Sequence, residues 1–105
     1  MADVVINRDG VLSYRHLTVD DAGYVELLGT PMNLTHTQFR ILRSLAESVP
    51  NPVSGGKLSE DCLRTGSRGQ ISVQIHHINA LSEKIGGRKL ILNQRGVGYY
   101  LNPWM

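Results

Sequence analysis

Large aliphatic residues fall at positions 71, 75, 78, 81 and 85, at spacings of four, three, three and four. Residues so spaced form one stripe only on an α-helix. Ile71, Ile75, Ile78, Leu81 and Ile85 therefore read as the core-facing side of a helix over 71–85, with Gly86 as its C-cap. A stripe of five large aliphatics must be covered, so the remaining sequence has to supply elements that pack on it.

Three such elements are legible. In "NLTHTQFRILRSLAES", Phe39, Leu42, Leu45 and Ala46 share a helical face with Ile41 beside it. Thr35 followed by Gln38 is a capping box, Leu34 and Phe39 are spaced as a hydrophobic staple, and "PNP" at 50–52 stops the helix. "VSGGKLSEDCLRTG" carries a shorter helix capped by Ser54, with Val53 and Leu58 as a second staple and Cys62 on its apolar side. "RTGSRG" reads as the loop to the third helix. The closing "RKLILNQRGVGYYL" reads as strand, Gly-rich turn, strand, with Tyr99 and Tyr100 alternating between core and wing surface. Before the helices, "VLSYRHLTV" alternates with a strand's period, "DDAG" is a turn, and "YVELLGTPMNL" reads as a strand, a Gly-Thr-Pro turn and a short strand. Residues 1–10 give no clear element and are read as a leader or linker remnant, leaving one domain over 11–105. The fold class is α+β: an N-terminal antiparallel β-sheet, a three-helix core and a C-terminal β-hairpin. Two helices, a loop and then a hairpin make a winged helix-turn-helix layout, with the third helix as reader and the hairpin as wing.

Charge adds a direction. The 105 residues carry a net charge of +2, but residues 1–50 hold four arginines against six carboxylates, and residues 51–105 hold seven Lys/Arg against three carboxylates. The C-terminal half thus leans toward a polyanion. With one cysteine no internal disulfide can form, which suits a reducing compartment. No apolar run approaches the roughly 20 residues of a membrane span, and the first residues lack the pattern of a signal peptide, so a cytoplasmic protein without membrane association is expected. No nucleophile has a neighbouring base, and no cofactor fingerprint or paired carboxylates occur, so the reading is non-enzymatic and without cofactor. His76 and His77 point about 100° apart on a helix and lack Cys or carboxylate partners at ligand spacing, so no metal site is read. From its local sequence, Arg95 at the hairpin tip is either a solvated charge or a contact to an anion. Arg64 and Arg68 in the loop stand between the same two readings.

Four segments resemble the DNA-binding effector domain of the OmpR/PhoB family of bacterial response regulators. "LTHTQFRILRSLA" is similar to the family's Leu-Thr-x-x-Glu-Phe-x-Leu-Leu helix start, with Gln38 in place of Glu. "VSGGKLSEDCL" is similar to its Val-Ser-Arg-x-x-Leu helix, "HINALSEKIGG" to its His-Ile-x-x-Leu-x-x-Lys-Leu pattern, and "RGVGYYL" to its Arg-Gly-x-Gly-Tyr wing. The likeness covers residues 11–101. It implies a four-stranded N-terminal sheet, a third helix in the major groove of promoter DNA, and Arg95 in the adjacent minor groove. On that likeness Ser72, His76, Asn79 and Ala80 lie nearest base edges, with Ser82 at another position where relatives carry contacting arginines. Arg64, Arg68, His77, Lys84 and Lys89 then meet the phosphate backbone. It also implies a homodimer on tandem half-sites, a segment at 64–70 that meets RNA polymerase, and a longer regulator with a receiver domain. The third helix departs from the family in offering no arginine, and Gly55 stands where relatives usually have one. That departure motivates a rival reading, a winged helix given over to protein–protein contact or dimerisation. Against it, Val73 and Ala80 alone are apolar on the expected outer face.

Overall fold

The computed structural model describes residues 5–63 and 68–103. Five short strands come first: β1 (Ile6–Arg8), β2 (Val11–Tyr14), β3 (Leu17–Val19), β4 (Val25–Leu27) and β5 (Thr30–Pro31). They form one antiparallel sheet in sequence order. The run read as one alternating strand is a hairpin. Leu12 and Tyr14 on β2, then Leu17 and Val19 on β3, are all buried, so the inward parity changes between 14 and 17. A two-residue turn at Arg15–His16 absorbs the change, with Tyr14 opposite Leu17 and Arg15 at φ 56°. The stretch read as a leader contributes β1, joined to β2 through Asp9–Gly10, both at positive φ. The last turn of the sheet is Leu28–Gly29, one step earlier than the Gly-Thr-Pro expected, and Thr30 and Pro31 lie in β5.

Helix α1 (His36–Ser48) lies on this sheet. Its capping box is present: Thr35 Oγ1 accepts from Gln38 N at 3.2 Å, and Gln38 Oε1 accepts from Thr35 N at 3.0 Å. Phe39, Ile41, Leu42, Leu45 and Ala46 are buried against Leu12, Tyr14, Leu17, Val19, Val25 and Leu27. Arg43 fixes the seat, its guanidinium donating to the carbonyls of Gly10 at 2.7 Å and Asp20 at 2.8 Å.

Helix α2 (Gly55–Cys62) starts at Ser54, whose Oγ accepts from Lys57 N at 3.1 Å. Arg40 of α1 donates to the Asp61 carbonyl and holds α2 alongside. Cys62 is buried as read, and burial pushes its thiol pKa up against the opposing pull of the Arg40 charge.

Helix α3 (Arg68–Gly86) begins three residues earlier than the aliphatic stripe indicates. Its left-handed terminal residue is Gly87, at φ 75°, rather than Gly86. Ile71, Ile75 and Ile78 are buried, and Leu81 and Ile85 are half-buried against the core. Gln38 extends past its capping role: its Nε2 donates to Gln74 Oε1 at 2.9 Å and ties α1 to α3.

The chain closes with the hairpin β6 (Ile91–Gln94) and β7 (Gly98–Leu101) around a loop at 95–97. β7 also pairs with the residue that leads into α2. Val53 and Tyr99 exchange both backbone hydrogen bonds at 2.8 Å. Both tyrosines of the hairpin are half-buried, and Tyr99 packs on the core.

Two substitutions test this account. Gln38→Ala removes both the cap acceptor and the donor to Gln74, and a loss of about 1 kcal/mol in urea unfolding is expected. At Gly98 a Cβ would collide with the Val53 carbonyl and lie 2.8 Å from Ser54 N. Gly98→Ala is therefore expected to lower stability by about 2–3 kcal/mol, read by the same unfolding curve.

Candidate nucleic-acid interface

The apolar stripe of α3 settles which of its side chains remain outside. Gln70, Ser72, Val73, His76, His77, Ala80, Glu83 and Lys84 are exposed, and at about 100° per residue they span an arc of about 160°. The rings of His76 and His77 stand 6.2 Å apart and tilted at 54°. Among the described residues no cluster of three His, Cys, Asp or Glu could hold a metal ion.

The wing lies beside this arc. Ser72 Oγ and Tyr99 Oη are 3.3 Å apart, joining the first turns of α3 to β7. The loop beyond projects Arg95 and Val97, both exposed. Its two glycines have separate causes. Gly96 sits at φ 79°, where a side chain is strained, while Gly98 makes room for the backbone of Val53. Lys84, Arg88, Lys89 and Arg95 are exposed between the end of α3 and the wing tip. They set positive charge at the C-terminal end of α3 and on the wing.

Two residues expected at the surface are inside. Asn79 is 8% exposed. Its Nδ2 donates to the Ile91 carbonyl at 3.0 Å and its Oδ1 accepts from Ile91 N at 2.8 Å. With its amide spent on β6 it presents nothing to a base edge. Ser82 is fully buried; its Oγ donates toward the carbonyls of Arg88, at 2.7 Å, and Asn79, at 3.1 Å, and accepts from Leu90 N at 2.9 Å. Helical projection carries the signal for both. Ser82 falls about midway between Ile71 and Ile75 on the wheel, and Asn79 falls about 40° from Ile75.

Ser72, His76, His77, Ala80, Lys84, Lys89 and Arg95 thus share the exposed α3 and wing surface. Arg64 lies outside the described residues. Arg68 opens α3, and its side chain lies outside the description. Val73, 51% exposed in the middle of the arc, and Val97, 51% exposed at the wing tip, join this surface although neither was singled out for contact. Their positions on the wheel and in the hairpin loop were the available signals.

Helix pair, hairpin and their common exposed face define a winged helix-turn-helix domain of the transcription-regulator class. Residues 29–101 match the family model described as transcriptional regulatory protein, C terminal. The transcriptional regulatory protein CseB of Streptomyces coelicolor is 36% identical over 93 residues, 88% of this chain and 39% of that protein. Among solved structures, the Thermotoga maritima OmpR/PhoB homologue DrrB is 27% identical with a TM-score of 0.73, over 89% of this chain and 44% of that one. The Klebsiella pneumoniae RstA DNA-binding domain, solved in complex with the RstA box, has a TM-score of 0.69 at 23% identity, over 89% of this chain and 97% of its own. The chain belongs to the family of C-terminal domains of transcriptional regulatory proteins, the OmpR/PhoB type of response-regulator DNA-binding effector domain, which is regulatory rather than enzymatic. It spans 39% of the length of the curated relative it matches. The sheet has five strands where the family likeness implied four. No helix among the described residues is long and apolar enough to cross a membrane.

Ser82 gives a direct check on the inward assignment. Ser82→Ala leaves the Leu90 N–H and the Arg88 carbonyl without their buried partner, so urea unfolding is expected to show a loss of about 2 kcal/mol. An exposed serine would lose next to nothing.

Proposed function

We propose that this domain binds promoter DNA as a transcriptional regulator, with α3 in the major groove and Arg95 of the wing in the adjacent minor groove. The observation that carries the reading is the Ser72–Tyr99 contact at 3.3 Å, which makes one surface of the exposed arc of α3 and the wing. Ser72, His76 and Ala80 face base edges. Ala80 offers a methyl for a thymine methyl, and Ser72 offers a hydroxyl that both donates and accepts. His77, Lys84 and Lys89, with Arg64 and Arg68 from the segment before the arc, meet phosphates and set the register. Arg95 sits on a narrow loop that a minor groove can admit, and A·T-rich DNA holds it best. Asn79 has no part in the contact set. On the family likeness, the domain acts in the cytoplasm, as a homodimer on tandem half-sites, with the segment at 64–70 toward RNA polymerase.

The test is a fluorescence anisotropy titration of labelled duplex DNA at several salt concentrations, since the phosphate contribution needs no known site. Wild type is expected to bind with a clear negative slope of log affinity against log salt. Arg95→Ala is expected to weaken binding about tenfold and to make the slope shallower by about one. Absence of wild-type binding at low salt sinks the reading and leaves protein–protein contact as the role of this surface.

A further inference from the structure

The proposed DNA contacts sit on two elements, α3 and the wing, so affinity depends on the angle between them. β7 is tied through Val53 and Ser72 at the beginning of the strand. β6 is tied differently. Asn79, in the fourth turn of α3, meets the backbone of Ile91 with both amide atoms, at 2.8 and 3.0 Å. A donor and an acceptor on one side chain, matched to the N–H and C=O of one residue, fix the rotation of the strand as well as its distance. An aliphatic residue here could fill the same space but would leave both Ile91 groups unpaired. Ser82 holds the next residue back, Leu90, through its N–H, and Asn102 Nδ2 donates to the Lys89 carbonyl at 2.8 Å. The base of β6 is thus held over consecutive residues.

Ile91 is the root of a lever. Arg95 lies four residues further on, about 13 Å along extended chain. A rotation of about 10° at the root would move the tip by about 2 Å, more than a hydrogen bond tolerates. We infer that Asn79 is a positioning residue for DNA binding. It acts through β6 to aim Arg95 at the minor groove and does not touch DNA itself. The inference rests on the proposed DNA-binding mode and adds to it how an inward asparagine, on a helix with no arginine over 71–85, serves recognition.

The test is a double-mutant cycle on the 105-residue chain. Asn79→Ala, Arg95→Ala and the double variant are titrated with a fluorescein-labelled, A·T-rich duplex of mixed sequence, after circular dichroism shows each folded at the assay temperature. In the wild-type background, Arg95→Ala is expected to weaken binding about tenfold; in the Asn79→Ala background, about twofold or less. A residue that only stabilised the fold would leave the Arg95 effect unchanged. Asn79→Asp serves as the second variant: one oxygen still accepts from Ile91 N, while the other repels the Ile91 carbonyl, and the Arg95 effect is expected to shrink here too. Equal Arg95 effects in all backgrounds overturn the positioning role and leave the DNA-binding reading intact. If neither Asn79 variant folds, the amide is a requirement of the fold and the positioning role is likewise overturned. If wild type fails to bind at low salt, the DNA-binding reading itself falls, and the positioning role with it.

Discussion

The backbone pairing of Val53 with Tyr99 is the contact on which the arrangement of this domain depends. A two-stranded hairpin is marginally stable by itself, and two glycines in the first turn of α2 weaken that helix by roughly 1 kcal/mol each. Each solves the other's difficulty. The residue entering α2 serves as a third strand beside β7, with hydrogen bonds of 2.8 Å in both directions. That approach is possible only because position 98 has no Cβ to meet the Val53 carbonyl. The glycines of "RGVGY" therefore do two jobs at two places: one bends the wing, and the other lets the wing join the helix-turn-helix.

Buried amides and hydroxyls then fix angles that apolar packing leaves loose. Burying a polar group without a partner is costly, and pairing it removes the cost only in one geometry. Gln38 shows how one substitution within a motif is used. Its oxygen closes the capping box as a glutamate's would, while its Nε2 donates to Gln74 of α3. Asn79 and Ser82 act in the same way between α3 and β6. These are directional joints set into an aliphatic core, and they lie where one element must be held at a set angle to another.

Much of this was legible in the sequence, and what was missed has local causes. Helix existence, the caps at Thr35 and Ser54, the buried cysteine and the hairpin follow from periodicity and short-range chemistry. The β2–β3 hairpin was hidden because "VLSYRHLTV" alternates on inspection, yet its inward residues move from even to odd numbers between Tyr14 and Leu17. The strand at Ile6–Arg8 was announced by Asp9–Gly10, a pair suited to a tight hairpin turn with positive φ at both residues. The inward positions of Asn79 and Ser82 were overlooked because polar residues on a reader helix invite a surface role. Their angles on the wheel, set by the isoleucines, already pointed the other way. Pairing of Val53 with Tyr99 joins residues 46 apart in the chain, and no local signal encodes it.

The charge layout changes what this surface asks of DNA. In the proposed binding mode, the described side chains on the exposed arc of α3 include one cation, Lys84, near its C-terminal end, and otherwise Gln70, Ser72, Val73, two histidines, Ala80 and Glu83. Arg88, Lys89 and Arg95 carry the rest of the positive charge on the described part of the face, toward and on the wing. Coulombic attraction then comes from the C-terminal end of α3 and from the wing, and the middle of the helix contributes mainly short-range contacts that discriminate between bases without adding much affinity. Because exposed charges are screened within about 10 Å at 0.1 M salt, the wing end holds the duplex only when it is close and correctly angled. An arginine-poor reader helix is therefore tolerable where the wing is rigidly set. The amide and hydroxyl joints at the base of β6 supply that rigidity in this chain.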